Sequence, residues 1–264
     1  HRKHQATPTD HANFNEFLKI GTDYSPDAWI LNKGFDPDKL WGLHLDTAQL
    51  DDLVNFVGGF RDRLGKTYDI ALELHARYDV ETAIQLCRLL EPFWLMWVED
   101  PIPSDDDDVD AMLRVRNNTS VPIAAGENIC SRYGYREFLE KEAFSIIQPD
   151  MSKTEGLLES RKIESMAEVY SIPVAPHRVT SRLATMAYAQ VCATIPNLMI
   201  LEWTHHLNRK FTSLTDRVSL AEGFLEISNK ARHRGCPQRG CCHIASGGRL
   251  QTPLAWLLPS SPVP

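Results

Sequence analysis

Leu95-Met96-Trp97-Val98-Glu99-Asp100-Pro101 is a short apolar run that stops at two carboxylates and a proline. Proline has no N–H and pushes the residue before it out of the helical region. A run this short, closed in this way, reads as a buried strand that delivers Glu99 to its C-terminal end. The same grammar recurs on both sides, in Ile70-Ala71-Leu72-Glu73-Leu74-His75 and in Val121-Pro122-Ile123-Ala124-Ala125-Gly126-Glu127. It continues through Ser145–Asp150, Ile172–His177 and Leu198–Glu202. From Glu73 the polar endpoints are spaced 26, 28, 23, 27 and 25 residues apart. That rhythm is one strand and one returning helix, repeated, and it predicts a parallel α/β sheet. The sheet can close into a barrel or be wound on both faces, and both architectures put functional groups at the C-terminal strand ends. No Gly-x-Gly-x-x-Gly follows the first strand, which counts against the dinucleotide-binding version.

The intervening segments carry the helical period. Asp46 or Thr47 caps a helix with Leu50, Leu53, Val54, Val57, Phe60 and Leu64 on one face, stopped by Gly65. A second helix has Val80, Ala83, Ile84, Cys87 and Leu90 on its apolar face. Others are expected near Val109–Arg116, Tyr135–Glu142, Leu157–Tyr170 and Ser181–Ile195. The acidic run Asp105–Asp108 reads as the N-terminal lead of the third helix, complementing its macrodipole, with a metal or ligand role as the alternative.

A chain of 264 residues, 43% hydrophobic, can bury a real core and fits one large domain, such as an α/β barrel, or two small ones. Its net charge of −7 argues against nucleic acid or an anionic membrane as the main partner. No apolar run is long enough to span a bilayer, and six cysteines in this length are not a disulfide scaffold. Cytoplasmic is the expected location. Three regions are expected: an irregular lead-in over 1–27 with one short helix near Asn13–Ile20, a (β/α) domain over 28–229 opening with a strand at Ala28–Lys33, and an unstructured or foreign tail over 230–264. In that tail Cys236, Cys241, Cys242 and His243 match no usual zinc spacing.

Glu73, Glu99 and Glu127 end three consecutive strands, which lie about 5 Å apart in a sheet. Three carboxylates leaning over one rim repel one another in a low-dielectric site, and a hard divalent cation relieves this. An all-oxygen set suits Mg²⁺. The next two strands end in Asp150 and His177, where the Asp fixes the tautomer of the His and makes it a general base. On the other side stand His75, two residues beyond Glu73, and Lys33 on the strand before; Glu202 ends the last strand of the series.

Together these residues resemble the mandelate racemase/muconate lactonizing enzyme family of the enolase superfamily. The matching pieces are Trp97-Val98-Glu99-Asp100-Pro101, Gly126-Glu127-Asn128, Gln148-Pro149-Asp150, Gly156-Leu157-Leu158-Glu159, Ala175-Pro176-His177 and Leu201-Glu202-Trp203, over about residues 69–205. Glu73-x-His75 and Gly126-Glu127-Asn128 are most similar to the sugar-acid (galactonate-type) dehydratases. The resemblance implies a modified (β/α) TIM-type barrel with Mg²⁺ on Glu73, Glu99 and Glu127. It implies His177 with Asp150 as base, His75 as the acid that protonates a departing hydroxyl, and Glu202 beside the substrate. The activity implied is loss of water from a sugar acid. The alternatives are a racemase or epimerase using Lys33 and His177 as opposed bases, and a non-catalytic barrel that binds metal or sugar acids. Symmetric homo-oligomers are frequent in the family. Three features depart from its pattern: Glu73 stands where the family usually has Asp, Arg178 follows His177 where a small polar residue is usual, and Lys33 matches only loosely. The residues before 28 do not supply the family's capping domain or first strand, so weak turnover is expected of this chain.

Overall fold

The computed structural model describes residues 42–104, 108–179, 182–202, 220–221, 224–227 and 249–251. The expected helix near Asn13–Ile20, the strand Ala28–Lys33 with its Lys33, Asp105–Asp107, and the tail residues Cys236, Cys241, Cys242 and His243 lie outside the described residues.

Helix α1, Thr47–Leu64, starts on a capping box: the Asp46 side chain accepts from the Gln49 N–H at 2.9 Å, and the Gln49 side chain accepts from the Asp46 N–H at 2.9 Å. Two orphan donors are thereby satisfied. The helix ends at Gly65, whose φ of 72° is left-handed and free of Cβ strain only for glycine. Arg61, buried in its last turn, donates to the carbonyls of Phe93 (2.7 Å), Gly65 (2.8 Å), Tyr68 (2.7 Å) and Trp94 (3.0 Å). One guanidinium thus ties α1 to the turn ahead of the central strand. Arg61→Met keeps the length of the side chain but strands these carbonyls, so we expect a stability loss of about 2 kcal/mol, read from urea midpoints.

The parallel sheet is β1 (Ala71–Glu73), β2 (Trp97–Glu99), β3 (Ile123–Ala125) and β4 (Ile146–Ile147), in that order. Register pairs Ala71 with Trp97 and Glu73 with Glu99, then Glu99 with Ala124, and Ala124 with Ile146. Between the strands run α2 (Val80–Leu90), a 3-10 turn (Glu91–Phe93), α3 (Val109–Arg116) and α4 (Arg132–Glu140). Helices α5 (Leu157–Val169) and α6 (Arg182–Cys192) follow β4. Single parallel bridges, Ile147 to Val174 and Val174 to Leu198, carry the sheet on to the next two expected strands. They are bridges and not full ladders because Pro173 and Pro176 have no N–H to donate. Beyond these lie β5 (Leu220–Ala221), β6 (Phe224–Glu226) and β7 (Arg249–Gln251), paired antiparallel. Strand β7 is a short paired segment within the stretch 230–264, expected from sequence to be an unstructured or foreign tail. Three residues are too few to show an alternation in sequence, so only pairing with β6 reveals it.

Two apolar clusters separate the faces of the sheet. The larger joins strand residues such as Leu72, Val98 and Ile123 to helix residues such as Leu86, Met112 and Phe138. The smaller holds one buried residue from each of six strand segments: Ala71, Trp97, Ala124, Ile146, Ala175 and Ile200. Among the described residues no helix residue belongs to it, yet every member is at most 7% exposed. A sheet face that helices do not cover can be this dry only by curling onto itself, which makes it a barrel interior. Two residues further along each strand, on the same face, the apolar layer gives way to Glu73, Glu99, Gly126, Gln148, His177 and Glu202.

Candidate metal and acid-base site

Glu73, Glu99 and Glu127 each place a carboxylate oxygen within 4.8 Å of the other two. They are 7%, 1% and 8% exposed, so little water screens them. Burial pushes Glu73 well above the usual carboxylate range, and the charges of Glu99 and Asp100 add to this. Burial and the charge of Glu202 lift Glu99 to about 7, although hydrogen bonds from its neighbours oppose the shift. One of these is the Trp97 indole N–H, which donates to Glu99 Oε2 at 3.0 Å. The extra methylene of Glu73 lets its carboxylate fold back and accept the backbone N–H of His75.

Asp100 joins this group, which alternation along a strand did not foretell. Its backbone is left-handed (φ 39°), a conformation that Asp tolerates better than most residues. Asp100 is 2% exposed and its Oδ1 has no hydrogen-bond partner among the described residues. Burial, then the charges of Glu127 and Glu99, push it well above the usual range. Four acids held this way oppose one another until a cation neutralises them, and the all-oxygen donor set fits a hard divalent ion.

His177 closes the cluster on its other flank. Its Nδ1 lies 2.8 Å from Asp150 Oδ2, its Nε2 2.9 Å from Glu127 Oε2 and 3.7 Å from Glu202 Oε2. Burial opposes charge on the ring, but the hydrogen bonds to Asp150 and Glu127 and the field of Glu202 outweigh it and raise its pKa well above the usual value. Burial would lift Asp150 too, but the bonds from His177 and Tyr188 hold it down at about 2. Asp150 Oδ1 accepts from the Tyr188 hydroxyl (2.7 Å) and the Ser152 N–H (2.7 Å), and the Tyr188 and Ser152 hydroxyls touch. The ring of His177 is therefore oriented through Asp150 by groups on two further elements. Glu127, despite burial, is held at about 2 by His177 and by Lys153, whose Nζ lies 3.2 Å from Oε1. Glu202 Oε2 accepts the Arg178 N–H at 2.6 Å, which aims the carboxylate toward His177.

The structure thus brings six of the expected residues together: Glu73, Glu99, Glu127, Asp150, His177 and Glu202. His75 differs from this set in being exposed. It follows β1 in a left-handed turn (φ 55°) with its side chain exposed at the rim. Asp100, Gln148, Lys153 and Tyr188 were not foreseen. Counting two residues on from Ile146 would have found Gln148, whereas Tyr188 comes from a distant helix and leaves no local signal.

Residues 26–231 match the family described as Enolase C-terminal domain-like. The chain belongs to this family. Its barrel-type α/β architecture is the enolase C-terminal fold, and its relatives bear out the resemblance to sugar-acid dehydratases. It is 37% identical over 188 residues to a D-xylonate dehydratase of Haloferax volcanii, covering 71% of this chain and 45% of that protein. It is 34% identical over 187 residues to a D-galactonate dehydratase of Variovorax paradoxus, covering 68% and 48%. The chain spans about half the length of these curated relatives. Among solved structures it is similar to a mandelate racemase/muconate lactonizing enzyme-like protein from Rubrobacter xylanophilus. The identity is 35% and the TM-score 0.64, over 69% of this chain and 45% of that one. It is also similar to an enolase superfamily member from Salmonella Typhimurium, with 30% identity and a TM-score of 0.65, over 70% and 47%. Among the described residues no helix is long and apolar enough to cross a membrane.

Proposed function

We propose that this enolase-family chain carries the site of a Mg²⁺-dependent sugar-acid dehydratase, a hydro-lyase that removes water from a hydroxy acid. One observation carries the reading: a His–Asp pair, His177 with Asp150, meets the buried trio Glu73, Glu99 and Glu127 through a 2.9 Å contact between His177 and Glu127. The names of the relatives, D-xylonate and D-galactonate dehydratase, support the substrate class.

Mg²⁺ held by Glu73, Glu99 and Glu127 would neutralise the trio and, as a Lewis acid, make the C–H next to the substrate carboxylate acidic. His177 takes that proton on Nε2, while Asp150 holds Nδ1 and stabilises the imidazolium that results. The electron pair released from the C–H bond forms a carbon–carbon double bond as the neighbouring hydroxyl departs. His75 donates the proton with which that hydroxyl leaves as water. The enol that remains gives up its hydroxyl proton to water, takes a proton at carbon and becomes a 2-keto-3-deoxy acid. Glu202, fixed by the Arg178 N–H, bounds the substrate on the His177 side.

We place the protein in the cytoplasm, a reading supported by the free thiols Cys87, Cys130 and Cys192, and expect a sugar acid and further copies of this chain as its partners. Exposed Tyr133 and Leu158, 70% and 72% accessible, would suit self-association. The test is to incubate the chain with D-xylonate, D-galactonate and related aldonates in D₂O with Mg²⁺ and to assay for 2-keto acid. Keto acid that disappears on chelation and returns with Mg²⁺ is the expected result. Deuterium entering unchanged acid or its epimer without loss of water would replace dehydration by racemisation. Metal binding with neither outcome would leave a binding protein.

A further inference from the structure

Gln148 lies in the polar layer of the barrel interior, two residues past Ile146 of the small interior cluster, with its backbone N–H bonded to Ala125 O at 3.0 Å. It is 1% exposed, and among the described residues neither Oε1 nor Nε2 has a hydrogen-bond partner of good geometry. It lies near enough to Glu99 to favour that residue's charged form. Glu99 is on one side of the layer and His177 ends the next strand, so the amide faces the space where a bound acid must sit. Its amide nitrogen is at most loosely engaged with Glu99, and a buried primary amide that leaves its oxygen and an N–H unserved is rare in a folded protein and points to a partner from outside the chain.

We propose that Gln148 is a specificity-determining residue that recognises the 2-hydroxy-carboxylate unit of the substrate. This rests on the sugar-acid reading above and names the part of the acid that is read. A primary amide presents one donor and one acceptor about 2.3 Å apart on a rigid plane. A 2-hydroxy acid presents, on adjacent carbons, a carboxylate oxygen that only accepts and a hydroxyl that can donate. Nε2–H can serve the first while Oε1 receives the second, so both bonds form together. An acid without the 2-hydroxyl satisfies Nε2 and leaves Oε1 buried and unpaired, which penalises it about tenfold or more. A neutral amide also suits this position electrostatically. Among Glu73, Glu99 and Glu202, a further carboxylate would repel the anionic substrate it was meant to hold.

The test uses the full 264-residue chain. Calorimetry with Mg²⁺ present would measure binding of D-xylonate and of its 2-deoxy counterpart to the parent chain, Gln148→Met and Gln148→Glu. Mn²⁺ affinity, read separately by electron paramagnetic resonance without any acid, reports on the carboxylate trio alone. The parent is expected to favour the 2-hydroxy acid at least tenfold. Gln148→Met should bring the two acids within about twofold while Mn²⁺ affinity stays within about threefold, and Gln148→Glu should weaken both acids. Gln148→Met keeping the full preference, or losing Mn²⁺ affinity as steeply as acid affinity, would overturn the proposal. A parent chain that binds both acids equally defeats this inference alone. One that binds Mn²⁺ but neither acid defeats the sugar-acid reading as well.

Discussion

His177→Asn is expected to lower exchange of the substrate's α-proton by about 10³-fold, the span over which a positioned general base accelerates a reaction. Three contacts converge on this ring, from Asp150, Glu127 and Glu202, at 2.8, 2.9 and 3.7 Å. Asn can imitate one hydrogen-bond donor but cannot accept a proton, so the loss should fall on the chemical step and not on acid binding. His75→Asn gives the contrasting pattern. If His75 delivers the proton to the leaving hydroxyl, exchange persists and water loss stops. Deuterium exchange followed by NMR, beside a keto-acid assay, reads both steps in one sample. Exchange lost with His75→Asn and kept with His177→Asn would reverse the two roles.

The contrast between these histidines shows how far the chain could be read unaided. His177 was legible because Pro176 ends its strand and because Asp150 ends the one before. Parallel strands set side by side then have to bring the two together. The sheet order and the trio followed from the same repeat, since equal strand–helix spacing leaves each carboxylate on one rim. Helix α3 begins after Asp108, whose side chain accepts the Ala111 N–H at 2.9 Å, as a run of acids before an apolar period implies. What escaped was whatever depends on the chain leaving the strand. Alternation would turn Asp100 away from Glu99, but a left-handed residue before Pro101 buries it near Glu99 and Glu127 instead. Alternation likewise selects Gln148, yet Asp150 also reaches the site because the backbone has left the strand by then. The positive φ of His75, at the corresponding place after β1, accompanies a side chain exposed at the rim that the period placed beside Glu73.

A second large effect is expected away from the site, at Glu164 on α5. It is 0% exposed, and neither carboxylate oxygen has a hydrogen-bond partner among the described residues. Burial lifts its pKa to about 7 from an ordinary 4.5, although Arg161 on the same helix pulls the other way. With the folded value above the unfolded one, the native state holds more protons between these two pH values. Stability from this group is then complete below about pH 4.5 and is lost as pH rises toward 7. A shift of this size corresponds to about 3 kcal/mol. Glu164→Gln abolishes the ionisation and keeps the shape, so its stability relative to the parent should improve by about 3 kcal/mol between pH 4 and pH 8. Urea unfolding of both proteins at the two pH values measures this. Taking the difference between proteins cancels the titrations of Glu73, Asp100 and His177, which the substitution leaves in place. A difference that stays flat from pH 4 to pH 8 would mean that Glu164 has the same pKa in the folded and unfolded chain, so that α5 carries its buried acid without a pH-dependent cost.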